Sequence, residues 1–172
     1  MKIYIPDMYK KNIFNIDYDK LKEIGINYLI FDLDNTIALI DERKTPIRTK
    51  LLFRKLKKDF TVLIISNNNK KRVEEYSNQL DVDFVSMALK PFTKGLRQIK
   101  KKYNCKRKEM CMIGDQIMTD IISGNRYKIK TILVDPLGKK DLKVTKLNRY
   151  LEGKVLKKLA KKDLFKKGRY YG

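Results

Sequence analysis

Short apolar runs alternate with longer amphipathic stretches through the middle of the chain, and this alternation most constrains the fold. Short runs rich in Val and Ile are typical of buried strands, whereas the longer stretches between them are predicted helices. Strands joined by single helices make right-handed crossovers, which place the strands parallel in one sheet with helices on both faces. The predicted strands are residues 28–33, 61–66, 83–87, 110–113 and 130–135, and the predicted helices are residues 48–58, 70–80, 94–103 and 118–127. We therefore expect an α/β fold of three layers around a parallel sheet of about five strands.

The charge of the chain indicates which kinds of partner it favours, and its composition excludes some kinds of catalytic site. Lys and Arg number 41 against 20 Asp and Glu, which gives a formal net charge of +21. Such a charge favours polyanions such as nucleic acid, anionic lipid or phosphorylated substrates, although lysine-rich compositional drift explains it equally well. The chain has no histidine, so His-based triads and the common His-rich zinc sites are excluded. Acid–base chemistry near neutral pH therefore falls to carboxylates, lysine, tyrosine or cysteine.

A chain of 172 residues is long enough to bury the core of one domain. We expect residues 1–138 to form that core with an N-terminal extension, and residues 139–172 to form a basic amphipathic tail belonging to the same domain. Five apolar residues recur in the tail at helical spacing: Val144, Leu147, Leu151, Val155 and Leu159. Lysines flank this stripe, so the tail helix either packs on the core or lies on an anionic membrane surface.

The sequence also predicts a location for the protein. Its apolar runs are far shorter than the roughly 18 residues that a membrane-spanning helix needs, and its first residues lack the apolar core of a secretory signal. Two cysteines without metal-ligand company fit a reducing compartment. We therefore expect a cytoplasmic protein, which makes peripheral contact with the inner membrane face if its basic tail lies on the membrane rather than on the core.

Chemically useful side chains follow four of the predicted strands, close to the point where each strand ends. They are, in chain order, Asp32 with Asp34, Ser66 with Asn67, Lys90, and Asp115 with Asp120. In a parallel sheet the carboxyl ends of the strands meet at one edge, so we expect these groups to converge. Crowded carboxylates need a cation, and oxygen ligands suit Mg²⁺, while a hydroxyl group and a lysine suit the oxygens of a phosphate. These residues predict a phosphoryl-transfer site.

The same residues resemble the four signature motifs of the haloacid dehalogenase (HAD) superfamily, in order. The motifs are Asp32-Leu33-Asp34-Asn35-Thr36, then Ser66, then Lys90, then Gly114-Asp115-Gln116-Ile117-Met118-Thr119-Asp120. More specifically, the chain resembles the YqeG family of HAD phosphatases, class IIIA. The shared features are the Gly-Asp-Gln-x-x-Thr-Asp run, the leader Ile13-Phe14-Asn15-Ile16-Asp17 and the tail Thr145-Lys146-Leu147-Asn148-Arg149. That family is similar to fungal mitochondrial and plant phosphatases that act on phosphatidylglycerophosphate.

The resemblance implies a HAD-like Rossmannoid fold and a covalent mechanism. It implies that Asp32 attacks phosphorus and forms an aspartyl-phosphate, which divides hydrolysis into two easier steps. It implies that Asp34 protonates the leaving oxygen and then activates the attacking water. Lys90 would neutralise charge on the phosphoryl group and on the nucleophile.

The resemblance also implies which residues bind the substrate and the metal ion. The residues expected to hold the phosphoryl oxygens are Thr36, Ser66 and Asn67. Asp115 is expected to ligate Mg²⁺ together with Asp32 and the carbonyl of Asp34. Asp120 either joins these ligands or supports them by orienting Lys90, and support is the role that we expect.

The spacing of the motifs bears on the substrate. The gap 34–66 has room for one loop and one helix, and the gap 66–90 has room for one helix and one short strand. Neither gap can hold a cap domain of the kind that encloses small metabolites in this superfamily. An open site suits a phosphate presented on a large surface. The leading expectation is a capless phosphatase acting on phosphatidylglycerophosphate, an anionic lipid. The alternatives are a phosphatase for a protein, nucleotide or polynucleotide phosphate, and a non-catalytic nucleic-acid-binding protein with this fold. No nucleic-acid-binding motif is recognisable, so no specific nucleic acid is expected.

Overall fold

The computed structural model describes residues 1–138 and 143–172, without the side chains of residues 143–147. Six strands form one sheet in the order β1-β6-β5-β2-β3-β4, and every neighbouring pair is parallel. The strands are β1 (Met8–Lys10), β2 (Tyr28–Phe31), β3 (Thr61–Ile65), β4 (Asp83–Val85), β5 (Met110–Gly114) and β6 (Lys130–Val134). The expected α/β fold with a parallel sheet is confirmed, with one strand more than the sequence predicts.

The described residues include six α-helices. They are α1 (Tyr18–Glu23), α2 (Ile47–Leu56), α3 (Lys70–Leu80), α4 (Lys94–Tyr103), α5 (Ile122–Tyr127) and α6 (Lys143–Lys161). The bounds of α3 and α4 agree with the sequence prediction. The helix predicted at 118–127 instead begins as a π-helical turn, Ile117–Ile121, and continues as α5.

Alternation along the central strand builds the three layers, because successive side chains of a strand point to opposite faces of the sheet. Leu29 and Phe31 of β2 join a buried cluster that includes Phe53 of α2 and other residues of α1, α2 and α3. Ile30 joins a separate cluster on the opposite face, together with Leu96 of α4. The strands are therefore apolar on both faces, as expected for a parallel sheet between two helical layers.

The extra strand, β1, pairs with β6 and covers one edge of the sheet. Asp7 accepts hydrogen bonds from the main chain and the hydroxyl group of Thr131, which fixes the register of the strand. The other side of β1 is also covered, since Tyr9 exchanges main-chain hydrogen bonds with Tyr171 near the end of the chain. Both edges of this short strand are thus occupied by distant segments.

The topology locates the functional edge. The chain runs from β2 outward through β3 to β4, then crosses back to β5 on the other side of β2, so the strand order reverses between β2 and β5. Ligands of such sheets bind beyond the carboxyl ends of the strands at this reversal. The intervals β2–β3 and β3–β4 each contain one helix, α2 and α3, and no inserted domain among the residues that the structure describes.

Helix α6 packs on the domain through part of the stripe predicted from the sequence. Leu159 is fully buried against Tyr9 and Ile121, and Val155 is partly buried in the same cluster. Leu151 is exposed, and the side chains of Val144 and Leu147 lie outside the described residues. Across the described segments, no helix combines the length and the apolar character needed to cross a membrane.

Candidate active site

Lys90 is buried at the carboxyl edge of the sheet, where its ammonium group bridges two aspartates. Its Nζ lies 2.5 Å from Oδ1 of Asp32 and 2.7 Å from Oδ1 of Asp120, and it donates to the main-chain oxygen of Ile65 at 3.2 Å. Asp32 follows β2, Lys90 follows β4 and Asp120 lies in the turn after β5. The structure thus brings together residues from three separate loops.

The position of Asp120 depends on the π-helical turn and on Gly114. The main-chain N–H of Gln116 donates to Oδ2 of Asp120 at 3.1 Å, which holds the carboxylate inward. A Cβ atom at Gly114 would lie 2.3 Å from Cγ of Asp120. Glycine at this position therefore makes room for the carboxylate, and the irregular turn delivers it, as π-helical turns at functional sites often do.

Asp115 follows β5, and its carboxylate contacts two distant parts of the chain. The hydroxyl group of Thr36 donates to Oδ1 at 3.3 Å. Arg149 of α6 donates from Nη2 to Oδ2 and from Nη1 to the main-chain oxygen of Asp115, the latter at 3.1 Å. Arg149 also lies 3.5 Å from Glu152, which accepts a hydrogen bond from the N–H of Ile117 at 3.0 Å. Helix α6 therefore contributes a cation and a buried carboxylate to the site.

Three buried carboxylates meet at this edge. Oxygen atoms of Asp32, Asp115 and Asp120 lie within 4.8 Å of one another. Carboxylates this close repel one another unless cations offset their charge, and a set of oxygen donors suits a hard divalent cation. The residues therefore fit a divalent metal ion. Asp120 also contacts Lys90 at 2.7 Å, so the geometry fits both roles considered for it, metal ligand and support of Lys90, and the expected supporting role remains a prediction.

Electrostatic interactions within the site are strong because its carboxylates and its lysine are buried. Burial raises the pKa of Asp32 well above its usual value; the adjacent Lys90 lowers it, and the charges of Asp120 and Asp115 raise it further. Burial also raises the pKa of Asp115 to about 7, although Arg149 acts in the opposite direction. Burial alone would lower the pKa of Lys90, but its two carboxylate neighbours raise it above the usual value, so the lysine stays protonated. The site therefore favours an additional positive charge beside its carboxylates.

Asp34 lies just past the strand end, and its carboxylate is held by side chains outside this cluster. Arg72 of α3 donates to Oδ1 from Nε at 2.9 Å and from Nη2 at 2.7 Å, and Asn68 donates to Oδ2 at 3.0 Å. Arg72 also donates to two main-chain oxygens of the loop after β2. Arg72 thereby ties α3 to the loop that carries the first motif.

Ser66 and Asn67 lie beside the cluster, and Asn67 has a defined structural contact. Ser66 is buried at the end of β3, and its hydroxyl oxygen accepts from the N–H of Asn68 at 3.1 Å. The amide group of Asn67 pairs with the main chain of Lys90 in both directions: Oδ1 accepts from the Lys90 N–H at 2.7 Å, and Nδ2 donates to the Lys90 oxygen at 2.9 Å. Asn67 therefore fixes the loop of the buried lysine. Binding of phosphoryl oxygens by Thr36, Ser66 and Asn67 remains a prediction.

Sequence reasoning missed the roles of Arg72, Arg149 and Glu152. A signal was present for Glu152, because it is one of three acidic residues in residues 139–172, with Asp141 and Asp163. An isolated acid three residues after an arginine in a lysine-rich helix indicates an internal ion pair.

Comparison with known proteins agrees with this geometry. Residues 88–160 match the family model described as HAD-hydrolase-like. The chain is 37% identical over 162 residues to the probable phosphatase YqeG of Bacillus subtilis, covering 94% of each protein. It is 24% identical over 171 residues to phosphatidylglycerophosphate phosphatase 1 of Arabidopsis thaliana, covering 93% of this chain and 49% of that protein.

A solved structure supports the fold. The deoxy-D-mannose-octulosonate 8-phosphate phosphatase of Haemophilus influenzae superposes with a TM-score of 0.51 at 16% identity, over 85% of this chain and 95% of that chain. At this identity the likeness concerns the fold alone, and it confirms the expected HAD-like architecture. The identity to the Bacillus protein extends over nearly the whole of both sequences. The chain belongs to the YqeG family of phosphatases in the HAD superfamily.

Proposed function

We propose that the protein is a Mg²⁺-dependent phosphatase that hydrolyses phosphatidylglycerophosphate to phosphatidylglycerol through an aspartyl-phosphate on Asp32. The observation that carries the phosphatase chemistry is the contact of the buried Lys90 with Asp32 and Asp120, with Asp115 beside them. It supplies a carboxylate nucleophile, a fixed cation and a set of metal ligands at one point, as phosphoryl transfer requires.

The chemistry takes two steps. First, a carboxylate oxygen of Asp32 forms a bond to phosphorus while the bond to the lipid oxygen breaks, and Asp34 gives that oxygen its proton. Then water attacks the same phosphorus, its proton passes to Asp34, and the bond to Asp32 breaks, releasing inorganic phosphate. Because Arg72 holds the Asp34 carboxylate in the structure, this scheme requires Asp34 to leave Arg72 and take a proton from solvent before the first step. Asp32, Asp115 and the carbonyl of Asp34 would hold Mg²⁺, which would supply positive charge that offsets the charge of the transferring group.

Lys90 has two tasks in this scheme. Its ammonium group lies 2.5 Å from the Asp32 carboxylate and opposes the rise in pKa that burial causes, so it favours the ionised form that attacks phosphorus. It also donates hydrogen bonds to the oxygens of the phosphoryl group as negative charge accumulates there. Asn67 supports both tasks by holding the main chain of the lysine.

Three observations support a lipid as the substrate. The described structure has no cap domain over the site, so the phosphate of a large assembly can reach it. The plant relative carries the name phosphatidylglycerophosphate phosphatase 1. The net charge of +21 attracts an anionic surface.

The test measures phosphate release by the full chain from phosphatidylglycerophosphate in anionic vesicles, with Mg²⁺ and with chelator. We expect the wild-type protein to release phosphate with Mg²⁺ but not with chelator. We expect Asp32→Asn to release none with Mg²⁺. Asp19→Asn, at an exposed position of α1, is the matched control and should keep full activity. Normal turnover by Asp32→Asn would overturn the covalent mechanism.

A variant at Asp34 separates the two steps. The p-nitrophenyl phosphate ester has a leaving group that departs without a proton, so Asp34→Asn can still form the aspartyl-phosphate but lacks the base for its hydrolysis. Mass spectrometry of this variant should therefore find a phosphate group on the peptide that contains Asp32. Phosphate on a different residue would contradict the assignment of the nucleophile.

A substrate panel decides the lipid part of the proposal. A phosphopeptide, a nucleoside monophosphate and an oligonucleotide with a terminal phosphate are compared with the lipid at equal phosphate concentration. We expect the highest kcat/KM for the lipid. Faster turnover of one of the other three substrates would overturn the lipid assignment and leave the phosphatase assignment standing.

A further inference from the structure

The loop between β4 and α4, residues 86–93, presents three apolar side chains to solvent beside the candidate site. Met87, Leu89 and Phe92 are 64%, 55% and 67% exposed. The residues between them turn inward, since Ala88 is 3% and Lys90 is 6% exposed. We call Met87, Leu89 and Phe92 the apolar rim. Because it shares a short loop with the buried lysine, the rim borders the opening of the site.

The conformation of this loop is fixed by hydrogen bonds. Met87 and Leu89 have φ angles of 47° and 55°, a left-handed region that residues other than glycine adopt infrequently. The N–H of Met87 donates to the oxygen of Asn68, and the N–H of Ala88 donates to the oxygen of Ser66, both at 3.0 Å. The rim is therefore held outward by an anchored main chain.

The surface around the rim is basic. Besides the buried Lys90, residues 84–108 contain eight Lys or Arg, and they contain no Asp or Glu. Three of these basic residues line a shallow groove together with Phe92: Lys94, Arg97 and Lys101. An apolar protrusion surrounded by cations matches the boundary between the headgroups and acyl chains of an anionic bilayer. A protein partner fits less well, because the cores of protein interfaces are depleted in lysine.

We infer that the apolar rim inserts into an anionic lipid surface while the surrounding Lys and Arg residues bind its headgroups. The inference rests on the proposed function and specifies its interface: an enzyme docked through this loop has its site opening at the level of the lipid phosphates. Docking through residues 86–93 differs from docking through the tail, because α6 buries Leu159 against the domain.

Tryptophan probes test the insertion directly, because the chain contains no Trp and a single introduced Trp is the sole indole emitter. Phe92→Trp places the probe in the rim. Leu51→Trp places it at a comparably exposed position of α2, 57% exposed, and Tyr150→Trp places it on α6, 60% exposed. The vesicles contain phosphatidylglycerol and phosphatidylcholine and no substrate, so the result does not depend on turnover.

We expect the emission of Phe92→Trp to shift to the blue with these vesicles and to be quenched by brominated acyl chains, while that of Leu51→Trp stays unchanged. A shift in Tyr150→Trp without one in Phe92→Trp would assign docking to α6 and overturn the inference. Equal shifts with vesicles of phosphatidylcholine alone would overturn the role of the basic surface. A shift that grows with protein concentration without lipid would identify a second copy of the chain as the occupant and likewise overturn it.

A loss-of-function variant provides a second measurement. The double substitution Met87→Ser and Phe92→Ser is expected to lower vesicle binding in co-sedimentation by about tenfold or more, since it removes two apolar side chains from the inserted surface. An unchanged melting temperature shows that the variant is folded. Wild-type binding by a folded double variant would overturn the inference. Vesicle binding by a wild-type protein that does not hydrolyse the lipid would instead count against the proposed substrate and leave the inference standing.

Discussion

Replacement of Arg149 by glutamine is expected to destabilise the fold, because it removes the cation that lies between two buried carboxylates. The side chain of Arg149 is 20% exposed, whereas those of Asp115 and Glu152 are 0% and 3% exposed. Removing one partner of a buried ion pair destabilises proteins by about 3–5 kcal/mol. The partial exposure of Arg149 places the expected loss near the lower limit, at about 3 kcal/mol. In a domain of this size such a loss lowers the melting temperature by roughly 6–12 °C.

Urea unfolding followed by circular dichroism, in buffer with chelator, measures this loss. Arg54→Gln, at an exposed position of α2, is the matched control and should change the unfolding free energy by less than about 0.5 kcal/mol. Arg149→Lys keeps the charge but loses the forked donor geometry, so its stability should fall between wild type and Arg149→Gln. Added Mg²⁺ is expected to reduce the difference between wild type and Arg149→Gln, because a cation beside Asp115 replaces part of the lost charge. If Arg149→Gln and Arg54→Gln unfold at the same urea concentration, the ion pair does not stabilise the fold and the reasoning is refuted.

Three further predictions follow from the packing. Gly114→Ala places a Cβ atom 2.3 Å from the carboxylate carbon of Asp120 and is expected to destabilise the fold by about 1–3 kcal/mol. In contrast, a Cβ atom at Gly153 has nothing within 4 Å, so Gly153→Ala should stabilise α6 by up to about 1 kcal/mol. If urea unfolding shows the reverse order of stability, the site geometry is contradicted. Asn67→Ala removes two hydrogen bonds to the main chain of the buried Lys90, so steady-state kinetics should show a lower kcat. A change in KM alone would indicate that Asn67 binds the substrate instead. Cys105 and Cys111 are buried, and burial raises the pKa of both thiols, so a thiol reagent should label them only after unfolding; rapid labelling of the native protein would show that they are accessible.

The sequence predicts the central strands well because they are buried on both faces. Such strands are apolar throughout and are bounded by polar residues, so a local pattern identifies them. The edge strand β1 has only three residues, Met8–Lys10, and it exists as a strand because it pairs with β6 and with Tyr171. Neither partner is visible in its local sequence.

The sequence predicts which residues of the four motifs come together in the candidate site, but it does not predict which side chains pair with them. Polar residues at strand ends converge because the sheet is parallel, which a sequence pattern can indicate. The basic residue that pairs with each carboxylate cannot be predicted in this way, because the chain has 41 Lys and Arg and local spacing does not indicate which of them is buried. Arg72 and Arg149 reach Asp34 and Asp115 across 38 and 34 positions of sequence. Such pairings follow from the tertiary fold.

Every residue of the four signature motifs, from Asp32 to Asp120, is synthesised before α6. As the chain leaves the ribosome, the strands can begin to assemble in order, but Asp115 has no contact with Arg149 until α6 has been made and has docked. Closure of the sheet edge at β1 also comes late. The contact between Lys10 and Gly172, which adjoins the Tyr9–Tyr171 pairing, joins residues 162 positions apart. Contacts between such distant residues form slowly. We therefore expect activity to appear only after α6 has docked, so that a nascent chain, or a chain truncated before α6, stays inactive although it carries all four motifs.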